Sequence, residues 1–140
     1  MTVSDAIIKW LKGFDSAEYW KMKTIDTGLQ SASVDSYSLV KEPVQNVKSF
    51  ITGKKIFTEH YMLQARLSTQ TKTERIDNNG FGEALESWVM GQNREKQYPL
   101  LGNGLICKGI TVTTPFYMGR TDENTAIYQL TIAIKYEKEN

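Results

Sequence analysis

The last third of the chain carries the most regular pattern in the sequence. Between Ala126 and Tyr136, every second side chain is apolar, and the positions between them include Gln129, Thr131 and Lys135. The apolar positions are Tyr128, Leu130, Ile132, Ile134 and Tyr136. Because successive side chains of a strand point to opposite faces, this alternation predicts a strand in a sheet that has one covered face and one polar face.

A short helix is predicted near the amino terminus, over residues 4–12. The apolar residues that recur there at helical spacing are Ile7, Trp10 and Leu11. We expect Ser4 to cap the first turn of this helix. Gly13 is expected to close its last turn in the left-handed conformation.

A longer helix is predicted from Gly80 to Lys96. Its stripe at helical spacing consists of Phe81, Leu85, Trp88, Val89 and Gln92. Acidic residues lie near its start and basic residues near its end, which suits the helix dipole. The preceding residues, 68–79, include almost no apolar side chain, so we expect them to form a solvated loop.

The remaining segments have the patterns of strands and turns. We expect two strands between Trp20 and Lys41, a hairpin of residues 47–52 and 56–68 around Gly53-Lys54-Lys55, and further strands at 105–114, 116–118 and 126–136. Pro43 and Pro115 are expected to break strands. Within 56–68, alternate residues form an apolar stripe that Glu59 interrupts.

The order of elements is helix, strands, helix, strands, with connections of hairpin length. This order predicts an α+β fold, in which a mainly antiparallel sheet carries two helices packed on one face. We expect one continuous core formed by Ile7, Trp10, Leu11, Leu85, Trp88, Val89, Leu130, Ile132 and Ile134.

Length, charge and cysteine content limit the classes of function. The 140 residues suit a single domain, 1–140. Seventeen basic and sixteen acidic residues leave a net charge of +1, which provides no strong field for binding nucleic acid or a membrane surface. No apolar run has the length of a membrane span, and no secretion signal is seen at the start. The single cysteine, Cys107, excludes an intrachain disulfide and fits a reducing cytoplasm.

Residues that could support catalysis are few. His60 is the only histidine, and its neighbours Glu59 and Tyr61 point to the other side of the predicted strand. Cys107 alternates within a strand and is expected to be a core residue. We therefore expect no enzyme, no cofactor and no metal site, and a small transferase or hydrolase that uses His60 is the remote alternative.

The order and spacing of several short blocks resemble a family of small phage and prophage proteins encoded among the head–tail joining genes, which includes tail terminator and minor capsid proteins. The blocks are residues 80–81, 83–88, 92–93, 99–100 and 122–129, with Gly104 and Cys107 between the last two. The segments 7–11, 37–39 with Pro43, and 50–53 fit as well, so the resemblance spans nearly the whole chain.

The resemblance implies a tail-terminator-like fold and a structural role. Such a protein forms a homo-oligomeric ring, commonly a hexamer, that caps the tail tube, stops its growth and offers its other face to the head connector or neck protein. DNA passes only transiently through its lumen, and no membrane is involved. The protein would reside in the virion, after assembly in the cytoplasm of the host bacterium. A neck, head-completion or minor capsid protein of the same particle is the alternative.

Polar segments are the expected contact surfaces of such a ring. Residues 69–79 and 119–124 are too hydrophilic to fold against the core, so we expect contact with neighbouring subunits or the tube to order one or both of them. The candidate contact residues are Arg120, Asp122 and Glu123 at one turn, and Lys54 and Lys55 at the other.

Overall fold

Four long antiparallel strands and two helices make up most of the structure. The computed structural model describes residues 2–14, 25–27 and 36–138. The elements are α1 (Val3–Leu11), β1 (Ile25–Thr27), β2 (Ser36–Ser49), β3 (Lys55–Ser68), α2 (Lys72–Arg94), β4 (Leu105–Thr121) and β5 (Thr125–Lys138). They form one sheet in the order β1-β2-β3-β5-β4, in which β1 pairs parallel with β2 and the other neighbours are antiparallel.

Both helices cover the same face of the sheet. From α2, the ring of Phe81 lies 6.1 Å from that of Tyr37 on β2 and 5.7 Å from that of Phe116 on β4. The α1 helix joins this layer through Trp10, whose ring lies 4.6 Å from that of Trp88. The predicted α+β class, with two helices on one face, is therefore confirmed. We call the opposite side of the sheet the helix-free face.

The predicted core is confirmed except at its two tryptophans. Fully buried are Ile7, Leu11, Leu85, Val89, Leu130, Ile132 and Ile134. Trp10 and Trp88 are only partly buried and pack against the core from its rim. The indole N–H of Trp10 donates to the carbonyl of Gln97 at 2.8 Å. A rim position lets the ring bury its apolar surface while its polar edge reaches a partner.

The first helix starts earlier than predicted. Its N-cap is Thr2, whose hydroxyl accepts from the amide of Asp5 at 3.1 Å, while the Asp5 carboxylate accepts from the Thr2 amide at 3.0 Å. This reciprocal pair needs an acid three residues after the cap, which Thr2 has and Ser4 lacks. Gly13 does not adopt a positive φ, so the expected left-handed closure is wrong, and its amide donates to the carbonyl of Trp10.

The second helix starts at Lys72, so the prediction of a loop through residue 79 is wrong. Thr71 and Glu74 form a capping box of the same kind, with distances of 3.0 and 3.1 Å. Asn78 is buried, and its amide donates to the carbonyl of Ser68 at 2.8 Å. Local capping and one buried polar contact therefore fold a segment that has no apolar stripe.

Neither proline breaks its strand. The β2 strand runs through Pro43 with a register shift between Lys41 and Gln45, and β4 runs through Pro115 with a shift between Thr114 and Tyr117. Both prolines lie on stretches that pair on one side only among the described residues, and both fall within a register shift, which is where strands tolerate a residue without an N–H. The strand predicted at residues 20–23 lies outside the described residues.

Candidate assembly surfaces

The two groups of predicted contact residues lie at opposite ends of the sheet. Register places Lys55 opposite Lys138 and Ser68 opposite Thr125. The turn with Lys54 therefore lies at one end, and the turn that follows β4 lies at the other. Fourteen strand residues separate the two ends, which corresponds to roughly 40 Å. The structure does not bring the two groups into one site.

Lys54 is engaged within its own subunit. Its Nζ lies 2.5 Å from Oε1 of Glu137, and Lys108 Nζ lies 3.1 Å from Oε2 of the same carboxylate. The Glu137 side chain is 5% exposed, so a buried carboxylate joins the β2–β3 turn to β4 and β5. Lys55 is the exposed first residue of β3. The sequence pattern pointed to the lysines but not to this shared acid.

At the opposite end, the β4–β5 turn is shorter and better bonded than predicted. The β4 strand extends to Thr121, and the Asp122 amide donates to the carbonyl of Thr125 at 2.8 Å. The carbonyl of Asn124 accepts from the amide of Thr69 at 2.9 Å, which ties the turn to the segment before α2. Backbone bonds within the subunit therefore already define this turn.

The three candidate residues of this turn have different surroundings. Asp122 Oδ2 lies 3.8 Å from Nη1 of Arg66, in a pair whose acid is 76% exposed. Glu123 is exposed, and its amide donates to Oδ1 of Asp122 at 3.0 Å. Arg120 is exposed and lines a shallow depression of about 300 Å³ with Arg66 and Ile127. Basic and acidic groups alternate here, so this end suits a polar contact with a mixed-charge surface.

A buried carboxylate, Glu59, lies among the residues of the core. It interrupts the apolar stripe of β3 and is 1% exposed. Lys41 Nζ lies 3.0 Å from it, Gln45 donates to it, and the hydroxyl of Tyr61 donates at 3.2 Å. The hydroxyl of Tyr136 also bonds to it. The interruption in the stripe was the sequence signal for this cluster, but the partners come from three different strands.

The two tyrosines of this cluster are held in the neutral form. Burial, together with the neighbouring Glu59 charge, raises the pKa of Tyr136 to about 12 and also raises the pKa of Tyr61. Neutral phenols donate to the carboxylate, and Lys41 balances its charge. The cluster is therefore a satisfied polar network where β2 changes register.

His60 and Cys107 do not form a catalytic arrangement within the described residues. The His60 ring lies on the helix-free face, opposite Ala133, and its buried Nδ1 has no hydrogen-bond partner there. A catalytic histidine needs a group that orients this nitrogen. Cys107 is buried, as predicted, and burial raises the pKa of its thiol, which disfavours the thiolate nucleophile.

Exposed apolar side chains gather at the end of the sheet where the lysines lie. Four of them fall within residues 44–51: Val44, Val47, Phe50 and Ile51. Two more, Leu100 and Ile106, lie in and after the connection from α2 to β4. Sequence reasoning missed both sets, because exposure depends on which faces the helices leave uncovered.

Comparisons with known proteins assign neither a family nor an activity to this chain. Within the described residues there is no cluster of three metal-ligating side chains, and neither helix has the length and hydropathy of a membrane span. No protein-family model matches the chain, and no curated protein matches it significantly.

Proposed function

We propose that this chain is a structural subunit of a phage tail: a tail terminator that forms a ring on the tail tube, stops its growth and docks the head connector. The observation that carries the proposal is the difference between the two lateral edges of the sheet. Among the described residues, β4 is outermost on one side, and β2 beyond Leu39 has no outer neighbour on the other. Subunits that meet head to tail in a ring need two unlike side surfaces.

The middle of the helix-free face suits a passage for DNA. Register aligns Val40, Met62, Thr131 and Thr114 in one row across the four long strands. The next row consists of Ser38, Gln64, Gln129 and Tyr117. Glu42 reaches the first row, since its Oε1 accepts from the Thr131 hydroxyl at 3.4 Å, and Arg120 lines a shallow cavity with Gln64, Tyr117 and Gln129 of the second row. Most side chains of the two rows are uncharged, and scattered charges of both signs hold phosphates less well than a basic stripe does.

Each subunit contacts three kinds of partner in this proposal. Six copies of the chain close the ring, as the resemblance implies. The tail tube protein meets one axial surface, and the connector or neck protein meets the other. The two ends of the sheet, with Lys54 and Lys55 at one and Arg120, Asp122 and Glu123 at the other, supply charged groups of different character for these surfaces.

Deletion of the gene tests the proposal. Loss of a terminator leaves tube growth unchecked, so electron micrographs of the lysate should show tails of uncontrolled length. Tails of normal length that are not joined to heads would reject the terminator and assign the protein to the neck. Complementation with the wild-type gene is the control. Complementation with a gene that encodes the His60→Ala variant should restore normal tails as well, because the proposal gives His60 no chemical role.

A further inference from the structure

The exposed apolar residues of the β2–β3 hairpin form the first half of the inference. Val44, Val47, Phe50 and Ile51 are 53%, 48%, 39% and 107% exposed, and we call them the hairpin patch. Their exposed area is on the order of 400 Å², which falls in the range of the largest apolar patch on a typical monomer. Single exposed apolar residues need no explanation, but four within eight residues indicate a contact surface.

The hairpin patch is held in place before any partner arrives. The amide of Phe50 donates to the carbonyl of Lys54 at 2.9 Å, and Gly53 closes the turn at a φ of 92°. Lys48 and Lys54 place their Nζ atoms 5.4 and 5.7 Å from the centre of the Phe50 ring. Lys54 is anchored in turn to Glu137. A surface ordered in the free subunit loses little conformational entropy on binding.

The connection from α2 to β4 provides an apolar depression. Residues 98–106 form what we call the loop surface, where Leu100 is 88% and Ile106 51% exposed. A shallow cavity of about 510 Å³ lies there, whose lining is mainly apolar, with Tyr98, Leu100, Leu105 and Ile106 among its residues, and includes one cation, Lys96. On its other side, Leu100 borders a second cavity of about 270 Å³ next to Trp10. The loop surface is therefore concave and apolar, whereas the hairpin patch projects.

The two surfaces lie at the same level on opposite edges of the sheet. Register aligns Ser49, Lys55, Lys138 and Leu105 in one row across the four long strands. The hairpin patch adjoins the β2 end of this row, and the loop surface adjoins its β4 end. Two copies placed side by side in the same orientation therefore bring the projection of one toward the depression of the other. Such a contact joins unlike surfaces, so it repeats around a ring.

We propose that the hairpin patch of one subunit packs against the loop surface of the next copy of this chain. The inference rests on the proposed ring and names the contact that closes it. An apolar patch of this size is about half of the ~800 Å² per partner that a stable pair buries. One such contact holds two subunits weakly. In a closed ring every subunit uses both surfaces and is therefore held by two contacts, which makes the ring more stable than an isolated pair.

Cysteine cross-linking of the purified chain tests this contact. In a Cys107→Ala background, the Ile51→Cys and Leu100→Cys changes place one thiol on each surface. Under mild oxidation, the double variant should give a ladder of disulfide-linked oligomers that ends in a closed ring. On a non-reducing gel, each single variant should give no cross-linked species, and a mixture of the two should give disulfide-linked dimers only. The Ile76→Cys, Leu100→Cys pair is the control, since Ile76 is 59% exposed but belongs to neither surface.

Two results would overturn the inference. Cross-linking of the Ile51→Cys single variant to itself would mean a contact between like surfaces. The double variant can be tested at a concentration where light scattering shows the wild-type chain assembled, or on isolated tail tubes that carry it. If the ladder is absent under these conditions, the ring contact lies elsewhere. Cross-linking of Ile51→Cys to the tube protein alone would identify the tube as the occupant and also reject the inference.

Failure of this contact and failure of the proposed function can be told apart. An Ile51→Asp gene should give tails of uncontrolled length, while an Ile76→Asp gene should restore normal tails. Normal tails with Ile51→Asp would reject the contact but leave the terminator proposal standing. Normal tails without the gene would reject the terminator whatever the cross-links show.

Discussion

The ring of Phe116 on β4 lies directly against the backbone of Gly82 on α2, so that no side chain of the helix separates the two elements at this point. A Cβ atom added to Gly82 would lie 2.1 Å from Cδ2 of the ring and 2.9 Å from its Cβ. The amide of Phe116 donates to the carboxylate of Glu86 one helical turn further on. This contact sets how closely the long helix approaches the edge strand.

Replacement of Gly82 by alanine should destabilise the protein. The Phe116 ring has to leave its rotamer to admit the methyl group, and overpacking of this kind costs about 1–3 kcal/mol. Chemical denaturation followed by circular dichroism measures the loss in the free energy of unfolding. Gly91→Ala is the matched control, because its new Cβ would meet only Arg94 Nη2, at 3.7 Å. This control should be neutral or stabilise the helix, and an equal loss in both variants would contradict the packing argument.

The tyrosines beside Glu59 should make stability fall at alkaline pH. Because the pKa of Tyr136 is raised to about 12, the folded chain holds its phenolic proton above pH 10, where the unfolded chain releases it. The contribution is complete below pH 10 and is lost as the pH rises toward 12, by roughly 1–2 kcal/mol. Denaturation midpoints between pH 8 and 12 measure this slope.

Tyr136→Phe should reduce the alkaline slope, and the part that remains belongs to Tyr61, whose pKa is also raised. The exposed Tyr117 is the matched position, and Tyr117→Phe should leave the slope as it is in the wild type. If the two variants show the same pH dependence, the phenol beside Glu59 does not control alkaline stability.

Neutralisation of Glu137 should loosen the end of the sheet that carries the hairpin patch. Glu137→Gln removes the buried charge between Lys54 and Lys108, and we expect a loss of about 1–2 kcal/mol. The loss is moderate because the two lysines are 38% and 48% exposed, so water can solvate their charges once the carboxylate is removed. Hydrogen exchange should rise at the amides of residues 50–54.

The ion pair of Arg94 with Glu95 provides the comparison for this variant. Its atoms are 3.9 Å apart and both side chains are more than two thirds exposed, at 76% and 71%. Glu95→Gln should therefore change the free energy of unfolding by less than about 0.5 kcal/mol. A cost as large as that of Glu137→Gln would argue against burial as the source of the effect.

Charge reversal at Arg120 should affect assembly and leave the subunit folded. The side chain is exposed, so the circular dichroism of Arg120→Glu should match that of the wild type. We expect loss of ring formation or of tail joining, measured by light scattering and by electron microscopy of complemented lysates. Lys12→Glu, at the exposed end of α1, is the control for a change of charge alone. Unimpaired assembly at ordinary salt would show that the β4–β5 turn is not a contact surface.

Several elements could be predicted because their evidence is local. The alternation in β5 and the stripe of α2 each indicate which side of one element faces the core. Each pattern is contained within about a dozen neighbouring residues. The start of α2 was missed although its signal is equally local. Thr71 and Glu74 form a capping box, but the polar residues after it lack the periodicity on which the prediction relied.

Other features depended on the sheet order, which no local pattern contains. Pro43 and Pro115 are tolerated because they lie on stretches whose outer side is unpaired in the described part of the chain, and strand order alone decides which stretches those are. Glu59 is satisfied by groups from three strands, so the sequence showed only a break in an apolar stripe.

For the candidate surfaces, too, some features follow from local sequence and others depend on the tertiary structure. The sequence determined two helices, a mainly antiparallel sheet and a nearly neutral chain, because side-chain periodicity and charge are properties of neighbouring residues. Tertiary structure alone decided that the hairpin patch and the loop surface lie at the same level on opposite edges of the sheet. Their relative position depends on the register of four strands, and register is set by the packing of the whole core rather than by any one segment.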